Sequence, residues 1–592
     1  MKKRFWSIAL CVCILGAAVF LPGCKDNKSE DSSFDYTRNN LYAVDLLGRQ
    51  FMPVDNMSDE KEVGLFYMIW HGQHGITSEP YDITKLLETD PDALWDINGR
   101  PNSPVNALHY WGEPLYGYYN MQDEWVVRRH MEMLSLAGVD YLGLDVTNIE
   151  TYDEAWLVIC QVLQEMQDDG IDAPKIVFYC NTFSEPAYLR VIHFYDVLYS
   201  VGRFKDVWYQ PNGKPVIIAI KAELERNRPD LLEFFDVRAS QWPGYAHMED
   251  GVPWMSFTRP QEVIGNAASV SVAQQLQRFS EAYPTAPNYR ENASWGRGYT
   301  TASGFDYDYS RNYWGDNFQE EWDFVIGNDA VDRVFVTSFN EWVAQKIITP
   351  GVNCVTFTDC FNLEYSRDIE PMKGGYNDNY LLQFADNIRR FKGNQRKKIN
   401  VNKRTIDFDK DLSQWDGINA FRDPRGDAME RNHIGSWNTI YTDKSNRNDI
   451  ISTKIAHDDN YLYINVEVAY ELIMSDDPSW MNVYINVLDD TDTGFAGYNY
   501  ILNRSRDLNG GKTKLQKFGA NNTLSSGTDC LIKVYDNNVV YRIPLADLGY
   551  EGKVPKIAIK VTDNIQNFND PMDFYVSGDS APLGLFSYGY GI

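Results

Sequence analysis

Between residues 63 and 392 the sequence alternates short strand-like runs with longer helix-like ones, and this alternation limits the fold more than any other feature. Apolar runs rich in β-branched and aromatic residues recur at 64–70 (GLFYMIW), 141–145, 175–180 (KIVFYC), 215–220 (PVIIAI), 237–241, 269–273, 334–336 and 355–359. Apolar runs without polar alternation suit strands buried on both faces. Helix-like stretches at 123–137, 152–167, 186–199, 318–326 and 378–392 fall between or after them, and Gly138 and Gly170 close the first two as C-caps. Eight strand runs in this setting predict a (β/α)8 barrel. A doubly wound open sheet is the competing fold, but no glycine-rich phosphate turn follows the first run. The long connections 71–120 and 242–268 are rich in Gly, Pro and aromatics, and are expected to wall a cleft on the carboxyl face.

After residue 393 the pattern changes. Residues 394–404 (NQRKKINVNKR) are basic and polar and read as a linker. Beyond them come period-2 runs at 461–468, 481–488, 498–502, 530–535, 539–543 and 556–561, separated by Asp/Asn/Gly turns. These predict an all-β sandwich over 405–592, with the barrel over 41–393.

The first 24 residues are read as a targeting segment. Lys2, Lys3 and Arg4 precede an apolar run at 8–21, too short for a secure membrane span. The run ends in Leu21-Pro22-Gly23-Cys24, the pattern of a bacterial lipobox, in which the cysteine is lipidated and becomes the new N-terminus. Residues 25–40 then form a flexible tether at the start of the mature chain. The expectation is an exported lipoprotein held to the bilayer through Cys24, at the outer membrane on its periplasmic or cell-surface face. Five cysteines remain beyond Cys24, without a CxxC pair or metal-type spacing. Cys354 and Cys360 are either a short-loop pair or two buried thiols.

The formal net charge of -28 makes polyanions such as nucleic acid poor partners. The aromatic content of 14% favours carbohydrate, because pyranose faces stack on rings. Polar residues just past the strands of a barrel converge on one site. Here they include His71 and His74, Asp145, Asn181 and Glu185, Trp242, then Asn340, Glu341 and Trp342, and finally Asp368 and Glu370. The loop motif containing His109, Trp111 and Glu113 adds a carboxylate between aromatics. Carboxylates and aromatics, with few basic groups and no GxSxG elbow, describe a glycosidase cleft. Glu341, Asp145 and Glu113 are the catalytic candidates, and the other residues are candidates for holding the sugar. Asp368 next to Arg367 also reads as an ion pair. No cofactor is required for such chemistry. Asp489, Asp490 and Asp492 form an acidic turn that suits a structural Ca²⁺ or a solvated hairpin. Trp437 and Trp480 are candidate sugar platforms.

The motifs EVGLFYMIWHGQHG, PYDITKLL, HYWGEPLYGYY, GVDYLGLDVTN, SFNEWVAQ and RDIEPMKGGYNDNY resemble those of lipid-anchored bacterial proteins with a glycoside hydrolase family 71/99-like barrel. Such proteins often end in a domain similar to carbohydrate-binding module family 9, and RNDI, YNYILNR and MDFYVSGD match that pattern. The resemblance implies a (β/α)8 fold and an α-linked mannan or glucan as substrate. It gives Glu341 the role of base or nucleophile at the anomeric carbon. The EWHE-type motif of family 99 carries a second glutamate where this chain has Ala344. The acid role therefore has no inherited holder, and Asp145, Glu113 and Asp368 are its candidates. The alternative implied by that departure is a non-catalytic, glycan-binding surface lipoprotein.

Overall fold

The computed structural model describes residues 34–72, 80–148, 150–182, 186–274, 295–349, 354–396, 399, 401–490 and 494–592. The targeting segment with Cys24, most of the tether, His74, Glu185 and Asp492 lie outside these. No helix among the described residues is long and apolar enough to cross a membrane.

The alternating half forms a nine-stranded sheet that curls almost into a closed barrel. Eight of its strands run parallel: β1 (Glu62–Tyr67), β2 (Tyr141–Val146), β3 (Lys175–Cys180), β4 (Val216–Ile218), β5 (Asp236–Gln241), β6 (Gly251–Pro253), β7 (Ala267–Ser271) and β8 (Arg333–Thr337). The ninth, Val263–Ile264, is a hairpin partner of β7. Strands β6 and β7 approach each other without ladder hydrogen bonds, so the circuit stays open there. Helices α1 (Glu124–Ala137), α2 (Asp153–Asp168), α3 (Asp316–Ile326) and α4 (Asn379–Lys392) pack outside. Gly138 ends α1 at φ 92°, where its amide reaches the carbonyls of Leu134 and Ser135, as the sequence predicts. No helix separates β5 from β6 or β6 from β7.

Two strand assignments differ from the expectation. Residues 354–357 do not join the barrel. They pair antiparallel with Val343–Thr349, which pairs antiparallel with Leu108–Tyr110. Only four residues separate 349 from 354, and a parallel crossover needs a dozen or more, so a hairpin is the outcome that the chain length permits. The missing barrel strand is β6, a three-residue GVP segment inside the stretch read as a connection. Its Gly and Pro hide it from any strand pattern. Arg333–Thr337 is therefore the eighth parallel strand, not the seventh.

Side chains alternate across each strand, and both faces are apolar. Outward residues such as Val63, Leu65, Leu142, Leu144, Ile176 and Phe178 meet the helices in the main core. Inward residues Phe66, Tyr141, Val177, Tyr179, Ile218, Trp254 and Phe335 form a separate cluster that fills the barrel. Below them Glu62 pairs with Arg238 at 3.1 Å and accepts from Tyr209, closing the amino end with a charged layer. Asp145 shares the inward face of β2 with Tyr141 and stands at its carboxyl end.

Most strands of the C-terminal half join a thirteen-stranded, wholly antiparallel sheet, in keeping with the all-β expectation. The strand Leu41–Val44 also belongs to it, paired with Phe586–Tyr590. Contacts between the two halves are specific. Arg431 donates to Asp123 at 2.8 Å, Arg129 to the Tyr575 carbonyl at 3.0 Å, and the Tyr575 hydroxyl to Asp378 at 2.7 Å.

Gly64 on β1 leaves space that the Tyr141 ring fills, and a Cβ there would stand 2.2 Å from it. Displacing a ring inside a packed barrel costs about 1–3 kcal/mol. Gly64→Ala is expected to lower the urea midpoint accordingly, and an unchanged midpoint would show that the ring is not confined.

Candidate active site

The polar tail of β8 is a folded knot rather than an open row of ligands. Ser338 takes φ 78°, a left-handed conformation unusual for serine, and reverses the chain at the strand end. Asp368 holds that turn. Its Oδ1 accepts from Ser338 Oγ at 3.0 Å and from the Glu341 amide, and its Oδ2 accepts from Trp111 Nε1 at 2.6 Å. Burial pushes the Asp368 carboxyl up to about 6 against these donors.

Asn340 is a clamp. Its Oδ1 accepts from the Met68 amide at 2.9 Å, and its Nδ2 donates to the Met68 carbonyl at 3.0 Å. The side chain thus copies a strand ladder across to the segment after β1. His71 Nε2 lies 2.6 Å from the Asn340 carbonyl and ties the same two segments again.

Trp342 and Trp111 stack at 4.5 Å with an interplanar angle of 16°, both fully buried. Trp342 donates its indole N–H to Glu370, which also accepts from the Tyr119 hydroxyl at 2.8 Å and lies 3.0 Å from His130 Nε2. Trp342, Trp111, Asn340, Asp368 and Glu370 thus form one buried layer at the carboxyl end of the barrel. The sequence places them at the right end of the barrel, but the contacts engage them with each other.

Glu341 is the member that turns outward. It is 6% exposed, and its Oε2 accepts from Arg367 Nη2 and from Arg367 Nε at 3.1 Å. Among the described residues nothing hydrogen-bonds to Oε1. Arg367 is itself buried, with its guanidinium 5.7 Å from the Trp254 ring. Burial raises the Glu341 carboxyl to about 8, outweighing the pull of the guanidinium. Sequence reading pairs Arg367 with its neighbour Asp368; the structure gives it to Glu341.

Asp145 ends β2, separated from β8 only by β1. Trp70, after β1, donates its indole N–H to Asp145 Oδ2 at 2.9 Å. Thr147 gives Oδ1 its amide at 3.0 Å and its hydroxyl at 2.7 Å. Burial raises the Asp145 carboxyl, and these donors oppose it. Asp145 and Glu341 both feel the charge of Asp359. Asn181 is half-buried at the end of β3, and Trp242 lies parallel to Trp254 at 6.3 Å.

The remaining candidates lie away from this centre. Glu113 is held between Lys85 at 2.8 Å and Lys373 at 3.0 Å. Burial would raise its carboxyl, but the two ammonium groups outweigh it and the net shift is downward. His109 is buried against Ser103 Oγ at 2.9 Å and the Ala107 carbonyl at 3.0 Å, and burial lowers it to about 4. Ala344 is buried opposite His109 in the three-stranded sheet, so no carboxyl enters from that position. Trp437 and Trp480 are core residues. Asp489 and Asp490 face Lys556 at 3.7 Å and Lys517 at 3.0 Å. Cys354 and Cys360 are separate buried thiols.

A cleft of about 1150 Å³ opens beside the centre. Trp70, His71, Gln122, Tyr152 and Glu154 line it, and Asn438 of the β half forms part of its rim. Trp70, Trp254 and Arg367 are the residues that sequence reasoning undervalued. Trp70 was legible as the indole closing the GLFYMIW run.

No protein-family profile and no curated protein matches the sequence. Among solved structures, the chain is similar to a GH99 endo-alpha-mannosidase from Bacteroides thetaiotaomicron. The identity is 14%, the TM-score 0.33, and the match covers 56% of this chain and 98% of that one. It is also similar to a carbohydrate binding module family 9 from Caldicellulosiruptor kristjanssonii in complex with glucose. There the identity is 15%, the TM-score 0.16, and the coverage 32% and 83%.

If Asn340 is a clamp, Asn340→Ala strands a buried amide and a buried carbonyl of Met68. Each unsatisfied group costs about 1–3 kcal/mol. Urea unfolding should show a loss of at least about 2 kcal/mol. A variant as stable as the parent would return Asn340 to the role of a ligand contact.

Proposed function

We propose that this chain is a membrane-anchored glycoside hydrolase acting on an α-linked polysaccharide of mannan or glucan type, with its site at the carboxyl ends of β1, β2 and β8 on a modified (β/α)8 barrel. The observation that carries the reading is Glu341: a nearly buried carboxyl at a strand end, with one oxygen held by Arg367; burial raises its pKa. Its partner is Asp145, two strands away, where burial raises the carboxyl and the donors on Thr147 and Trp70 oppose it. Two carboxyls with different environments are what glycosidic cleavage requires. Trp70, which lines the cleft, supplies indole surface beside Asp145. The α-linkage and the sugar class rest on the motif resemblance alone.

In this mechanism Glu341 enters the reaction protonated, which differs from the base role that the resemblance implies. It donates its proton to the glycosidic oxygen as the bond to the anomeric carbon breaks. Asp145 acts at the anomeric carbon as base or nucleophile. Water supplies the hydroxyl of the new reducing end, and its released proton restores the acid. Arg367 sets how readily Glu341 gives up its proton.

The test is incubation of the protein and a Glu341→Gln variant with α-mannans and α-glucans, followed by assay of released sugar. The expected result is release by the parent and a loss of at least about 100-fold in the variant. The rate should fall as pH rises through about 8, where Glu341 loses its proton. One observation favours a second reading, glycan binding without cleavage: both oxygens of Asp145, Asp368 and Glu370 already carry hydrogen-bonding partners. Binding by both proteins, with sugar released by neither, would decide for it.

Anchoring through Cys24 belongs to the same proposal and rests on the lipobox pattern. Cys24→Ser should move the protein from the membrane fraction to the soluble fraction of producing cells. Retention of the variant in the membrane would remove the lipid anchor.

A further inference from the structure

A heavily charged buried region lies outside the site, where α1 meets the antiparallel sheet. Glu132 comes from α1, and Asp423, Asp427, Asp449 and Asp579 come from the β half. One carboxylate oxygen from each of Glu132, Asp423 and Asp427 lies within 4.8 Å of the others, and Asp427, Asp449 and Asp579 form a second such group. Glu132, Asp423, Asp427 and Asp579 are all more than nine-tenths buried.

Each of three carboxylates is held at one oxygen and unpartnered at the other. Glu132 Oε1 accepts from the Leu583 amide at 3.3 Å, Asp423 Oδ1 from the Tyr588 hydroxyl at 3.2 Å, and Asp579 Oδ2 from the Ile450 amide at 2.6 Å. Their other oxygens, with Asp427 Oδ1, are buried and have no hydrogen-bond partner. Buried polar atoms are rarely left in this state, and several together call for an occupant. Carboxylates anchored at one oxygen and free at the other are oriented as metal ligands are.

Charge points the same way. The five carboxyls face two buried cations, Arg129 and Lys560, and Arg425 reaches Asp449 from the surface. Lys560 also faces Asp378. With Asp378 counted, six carboxyls face these three cations, so ionised carboxyls outnumber the cations and a bound cation would offset the excess. The donors are all oxygen, without His or Cys, as a hard cation requires. Calcium takes oxygen ligands at about 2.3–2.6 Å, so oxygens up to about 5 Å apart fit one coordination sphere.

We propose that Glu132, Asp423 and Asp427 hold one Ca²⁺ between the barrel and the antiparallel half, with Asp427 joining it to the Asp449–Asp579 group. This site is separate from the Asp489–Asp490 turn. It is structural: it joins α1, which backs the barrel, to loops of the β half.

The full chain, dialysed with Ca²⁺ and then freed of excess, is expected to retain one ion per chain by elemental analysis. Melting in millimolar Ca²⁺ should exceed melting in EGTA by roughly 2 °C or more. Tb³⁺ should give emission sensitised through nearby aromatics such as Tyr588. Asp427→Asn and Glu132→Gln should abolish the retained ion and the Tb³⁺ signal, whereas the double variant Asp489→Asn/Asp490→Asn should keep both. No retained ion and no Tb³⁺ emission in the parent would overturn the proposal. So would loss of the ion in the Asp489/Asp490 double variant, or retention of it in both Asp427→Asn and Glu132→Gln. The parent and the double variant leave the cluster intact, so the proposal stays testable even if the cluster variants do not fold.

Discussion

The stacked indoles of Trp111 and Trp342, each donating its N–H to a buried carboxylate, hold together the carboxyl end of the barrel. Asp368 and Glu370 lie within two residues of each other and receive those donors. Asp368 also receives the amide of Glu341 and the hydroxyl of Ser338. Charged groups in a dry interior persist only when their lone pairs are occupied. The turn after β8 is therefore fixed by a polar network, and the position of Glu341 follows from that network. The candidate site depends on buried polar satisfaction as much as on the barrel.

Much of the fold was legible because burial on both faces writes continuous apolar runs, as at 141–146 and 175–180. The Gly138 cap and the period-2 run at 461–468 were legible for equally local reasons. The GVP strand was not, since three residues including Gly and Pro carry no strand signal. The hairpin at 343–357 was hidden too, since residues 338–353 are enough for a parallel crossover and Val343–Thr349 follows a polar turn.

The site was legible in location and less so in role. Residues past strand ends do converge, yet a sequence shows donors and acceptors without showing which are already matched. Asn340 looks like a sugar ligand until Met68 is seen to take both ends of its amide. Glu113 looks like an acid until two lysines are placed beside it. Arg367 looks like the partner of Asp368 until its guanidinium is found on Glu341. Each difference is a pairing between residues distant in sequence, which local pattern does not encode.

The strand Leu41–Val44 is the first regular strand of the described chain, and its partner Phe586–Tyr590 is the last. Contacts between segments this far apart in sequence form late, because the loop they close is long. One edge of the early strand can pair at once with Gln50–Phe51, but its other edge stays unpaired during synthesis until residues 586–590 have emerged. The two halves cannot then mature as independent modules in order of appearance. Completion of the antiparallel sheet becomes a quality check on the whole molecule, since a chain cut short before residue 586 lacks the partner of that strand.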